Sequence, residues 1–165
     1  MSTRLDPEEA LAAPLYVVAM MLILIPAADF LLSVPPPEPS SIQWRFAAVG
    51  LLSGYTMTPI LGLALALVVS VVAKQVALQR LLVITCLMLA VILLFLSVGF
   101  MLDVVQLRAS IPQDGRPAFN SAWTRAIIKH GLSAGTLAYL GWRARRMLPA
   151  RSRHRDPKPV IVVSK

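Results

Sequence analysis

Residues 81–102 read LLVITCLMLAVILLFLSVGFML, 22 residues without a single charge. A helix that crosses the hydrocarbon core of a bilayer needs about 20 apolar residues at about 1.5 Å each. Inside a lipid phase every backbone N–H and C=O must be bonded within the chain, so a run of this kind spans as a helix. The stretch therefore predicts an all-α integral membrane protein.

The neighbouring segments extend that reading. On the amino side, residues 74–80 (KQVALQR) carry two bases and no acid. Before them lies a second apolar run, 46–73, of 28 residues; between Arg45 and Lys74 only Tyr55 can ionise. A link this short makes the two runs antiparallel neighbours. A run of 28 is longer than the bilayer core requires, so it should tilt or kink, and Pro59 supplies the place. Residues 14–34 form another run of 21, opened by Pro14 and closed by the prolines at 35–37. The four prolines within 35–43 favour a stiff, extended connection. Asp6, Glu8 and Glu9 ahead of the run have the wrong sign for a cleaved signal peptide.

On the carboxyl side, 103–120 reads as a loop, with the turn sequence PQDG at 112–115. Ser121 or Thr124 would cap a fourth helix running to about Met147. Its uncharged stretch, 131–142, is only 12 residues long. It spans only if Arg125 and Lys129 lie at the interface and snorkel. The expected fold is a four-span transmembrane bundle with spans 14–34, 46–73, 81–102 and 124–147 and an outer loop 103–120. The alternative is three spans plus an interfacial helix, with the amino end outside.

Overall, 57% of the residues are hydrophobic and 15% charged, well below the quarter or so typical of soluble domains. The net charge of +8 gathers at the end: eight of the sixteen Lys and Arg lie in 143–165. In a membrane protein such a cluster points to topology and anionic lipid headgroups, and no nucleic-acid partner is expected. With four spans and both ends inside, eleven bases fall inside and five outside, the bias that cytoplasmic ends produce. Trp44 and Trp123 then sit at the outer interface, and Tyr16, Tyr139 and Trp142 at the inner one. The expected location is the cell (inner) membrane, with 1–13 a short cytoplasmic segment and 148–165 a basic cytoplasmic tail.

Small residues recur every fourth position through the second run: Gly50, Gly54, Thr58, Gly62, Ala66 and Ser70. This spacing lets helix backbones approach closely in a membrane. Each four-residue step drifts about 40°, so two contacts are expected, one on either side of Pro59. In the fourth helix Gly131, Ala134, Gly135, Ala138 and Gly141 share a face, and Arg125, Lys129, Thr136 and Arg143 lie opposite. Neither face suits lipid. Asp29 is the one acid inside a span, and a structural ion pair with Lys129, at similar depth, is the preferred reading over a proton or cation site. Arg143, Arg145, Arg146, Arg151, Arg153 and Arg155 would set topology or meet anionic lipid.

Catalytic chemistry finds little support. His130 is expected at a membrane edge and His154 in the tail, so they make no cofactor site. The lone Cys86 reads as a small buried hydrophobe. No metal-ligand spacing, phosphate loop or nucleophile elbow occurs. These features suggest a non-catalytic structural or accessory subunit of a larger membrane assembly, joined to other subunits or to copies of itself. The alternative is a small oligomeric transporter or channel, and a membrane enzyme has least support.

Overall fold

The computed structural model describes residues 7–34 and 36–148. Expectations for the first six residues, for Pro35 and for 149–165, with the tail bases Arg151, Arg153 and Arg155, lie outside them. Every described element is helical: α1 (Pro7–Ser33), α2 (Ile42–Tyr55), α3 (Met57–Val72), α4 (Val76–Arg108), a short 3-10 turn (Gln113–Gly115) and α5 (Arg116–Arg146). Two helices are long and apolar enough to cross a membrane, α4 and Leu11–Ser33 within α1. The bent pair α2–α3 makes a third if it counts as one span, and α5 is not apolar enough to qualify on composition.

The helices outrun the apolar runs. The stretch 103–120, read as a loop, is helical up to Arg108 and again from Arg116, leaving 109–115 as the connection. No proline or glycine stands between Leu102 and Arg108 to stop α4. Asp103, the charge that suggested a stop, is buried and neutralised by Arg45. Pro117 sits in the first turn of α5, where its missing N–H costs nothing. Gly115 precedes that helix, so neither Ser121 nor Thr124 is its cap. Likewise α1 opens at Pro7, which places Pro14 inside it and not at its start.

The second run does bend, by 45°, and the break falls at Thr56. Pro59 has no N–H to offer the Tyr55 carbonyl, so the ladder fails in the turn before the proline. Local hydroxyls occupy backbone oxygens there. Ser53 Oγ donates to the Gly50 carbonyl at 2.6 Å, and Thr56 Oγ1 donates to that of Ser53 at 3.3 Å.

Packing divides the bundle in two. α5 runs antiparallel along the whole of α4. At one end Phe100 and Val104 meet Phe119 and Ala126. In the lower half Gly141 faces Cys86 and Leu87, and at the far end the Gln79 side chain donates to the Ala144 carbonyl at 3.1 Å. α1 packs on α3 and, near its end, on α2, but its backbone approaches neither α4 nor α5. The tightest crossing is at Gly62, where a Cβ would lie 2.8 Å from both the Ala19 carbonyl oxygen and Ile23 Cγ1. Only glycine fits there. The turn between α3 and α4 holds Lys74 at φ 54°, a left-handed position, and Tyr16 donates to the Gln75 side chain at 3.0 Å.

Candidate functional site

Polar groups buried in a lipid-soluble bundle need internal partners, and their absence is informative. At the α2–α3 break Ser133 Oγ donates to Thr56 Oγ1 at 3.1 Å, joining α5 to the bend. One turn away on the same face of α5 is His130, fully buried. Its Nδ1 lies 2.8 Å from the Ala126 carbonyl, an acceptor only, so Nδ1 carries the proton. Among the described residues Nε2 has no hydrogen-bond partner. α5 begins at Arg116, eight residues before Thr124, so His130 stands at the middle of that helix and not near its start.

A second polar feature closes one end. Arg45 Nη2 approaches Asp103 Oδ1 at 2.7 Å and Nε donates to Oδ2 at 3.1 Å, a two-pronged pair between α2 and α4. Arg45 Nη1 also donates to the Pro39 carbonyl at 2.9 Å. Beside the pair, Phe46 stacks on Phe100 and on Phe119, with ring centroids 5.0 and 5.1 Å apart. A cleft of about 630 Å³ opens next to Arg45, Trp44 and Gly99. A second, of about 350 Å³, lies against the bend between Pro26, Tyr55, Pro59 and Ile92. Both are lined almost wholly by apolar side chains. They separate α1 from α4.

The residues singled out in the sequence divide between inside and outside. Gly62, Ala66 and Ser70 are buried as a packing stripe should be. Gly50 and Gly54 face open space and Thr58 is exposed, so the contact expected before Pro59 is not made within one copy of the chain. The stripe drifts about 40° per step and the helix bends between its halves, so the two halves do not share α1 as a neighbour. Gly131 and Gly135 also face open space, and Gly141 takes the close approach to α4 instead. The buried face of α5 is Phe119, Ala126, His130, Ser133, Ala134, Leu137, Gly141 and Ala144, so the expected small face is split along its length.

No Asp29–Lys129 ion pair forms within the chain. Both residues are exposed, and they sit on α1 and α5, whose backbones do not approach one another. Arg143, Arg145 and Arg146 are exposed at the end of α5, where Arg146 lies over the Trp142 ring at 3.9 Å. Among the described residues no three His, Cys, Asp or Glu side chains converge on a point that could hold a metal ion.

Comparison with known protein families, characterised proteins and solved structures finds no match. Two features escaped the sequence reading, His130 and the Arg45–Asp103 pair. The pair had a signal. Arg45 opens one apolar run and Asp103 closes the next, and an antiparallel hairpin brings those two ends together.

Proposed function

We propose that the chain is a non-catalytic structural or accessory subunit of a larger membrane assembly. One observation carries the reading: Asp29 and Lys129 are both exposed, on α1 and on α5, without a partner among the described residues. An ionised side chain facing lipid within a span is expensive, and such groups normally turn to a counter-charge or a cavity. The interior polar groups, by contrast, mostly find partners inside the chain, largely backbone carbonyls, with His130 Nε2 the exception among the described residues. The unpaired charges are on the outside, where another polypeptide would meet them.

The topology belongs to the same proposal: four spans, both ends cytoplasmic, in the cell (inner) membrane. The pairing of α5 with α4 supports it. A helix antiparallel to a span over the span's full length has little choice but to cross with it. A reporter fused after Asp114 should respond as outside, and one after Met147 as inside. A cytoplasmic signal after Asp114 would reject the four-span arrangement.

The assembly itself is tested by purification in gentle detergent and native mass measurement. The expected particle exceeds a single 17.9 kDa chain. A lone monomer that stays active in membrane insertion and shows no crosslinks from Thr136 would sink the reading. A second reading, a small oligomeric transporter or channel, draws on the helix break beside Thr56, Ser133 and His130, since broken helices with polar groups at mid-depth bind solutes in transporters. Its test is ion or proton flux in proteoliposomes, lost on His130→Leu.

A further inference from the structure

Within one copy, Asp29 and Lys129 cannot meet, yet three facts about their placement fit each other. The first is depth. Gly62 of α3 faces Ala19 and Ile23 of antiparallel α1, which sets Pro26 about level with Thr56, and Thr56 is bonded to Ser133 of α5. From that shared level Asp29 lies three residues, or about 4–5 Å, towards the Arg45 end. Lys129 lies four residues, or about 6 Å, from Ser133 towards the same end. The two opposite charges are therefore at nearly one level.

The second is direction. Val68 and Val72 of α3 border a cleft with Leu15 of α1 on one side and a cleft with Arg143 of α5 on the other. This is one face of the molecule, with α3 in its middle and α1 and α5 as its edges. By helical periodicity Asp29 falls about 40° from Leu15, and Lys129 about 40° from Arg143. Both charges are thus turned to this face, one at each edge.

The third is symmetry. A face with an acid at one edge and a base at the other, at equal depth, is complementary to itself after a half-turn about the membrane normal. Two-fold contacts use the same patch on both copies. Gly54 on α2 is exposed with open space over it, which lets a second backbone come close.

We propose a two-fold symmetric homodimer in which Asp29 of each copy pairs with Lys129 of the other. This rests on the assembly reading and makes it specific: the partner is a second copy of this chain. The pair removes two lipid-facing charges per copy at once, and that complementarity, not the small residues, selects the partner.

The test starts from a Cys86→Ala background with two differently tagged versions produced together. One carries Asp29→Cys and the other Lys129→Cys. Oxidation in native membranes should join the two tags in a product of two chains, while Asp29→Cys with itself should give none. Separately, Asp29→Lys alone and Lys129→Asp alone should each lower the dimer fraction about tenfold or more in dimer affinity. The double exchange in one chain should restore it. If the swapped chains fail to fold, the cysteine result decides alone. Cysteines that join other polypeptides but never the second tag overturn the dimer and leave the assembly reading intact. A folded monomer with no crosslink of either kind overturns both.

Discussion

Gly62 shows how much depends on one missing methyl. With the Ala19 carbonyl 2.8 Å from where a Cβ would stand, any larger side chain must push α1 away from α3. Backbone cannot yield as a flexible side chain would. Gly62→Leu should therefore destabilise the bundle by about 3 kcal/mol or more, beyond ordinary overpacking of about 1–3 kcal/mol. Gly54→Leu, in open space, should leave the stability of an isolated copy within about 0.5 kcal/mol. Thermal melting in detergent separates them, and equal losses at the two positions would mean that the α1–α3 crossing is not as described. From the sequence both glycines read alike. The four-residue spacing found the stripe, but a bend of 45° decides which half of it meets a neighbour, and the spacing carries no information about that.

Between elements, the pair at Arg45 and Asp103 is the tie from α2 to α4. Asp103 is buried while Arg45 is partly open, so the carboxylate is the partner that suffers if the tie is cut. Losing Arg45 leaves a buried carboxylate without its counter-charge, whereas replacing both residues by apolar side chains is often neutral. Arg45→Leu should thus melt well below the parent chain, and Arg45→Leu combined with Asp103→Leu should recover most of the loss. A double variant as unstable as the sum of the singles would show that the two residues act independently. The helices themselves were readable from hydropathy, since α4 and most of α1 are plain apolar runs. α5 was readable only in part. Its buried face mixes small, polar and large apolar residues, and what holds it is a surface offered by α4, which no local pattern in 116–146 describes. The burial of His130 escaped for the same reason: it is a property of the helix pair.

At the scale of the whole molecule, α1, α3 and α4 are strongly apolar, and α5, packed along α4, is the helix less suited to lipid. On the four-span reading this has a consequence for how the protein is made. A Lys or Arg near the middle of a segment costs about 2.5–3.5 kcal/mol on the scale by which the insertion machinery accepts or rejects it. With Arg125, Lys129 and His130 in its first half, α5 fails that examination by itself. It would pass in the company of α4, which leaves the ribosome just ahead of it and presents the groove that Gly141 and Leu137 fill. Residues 109–165 synthesised alone should then remain extractable by alkali, while residues 74–165 should be retained in the membrane with their loop translocated. Insertion of 109–165 unaided would contradict this. The order of the genetic message would thus be part of the architecture: the greasy helix is translated first so that the reluctant one has somewhere to go.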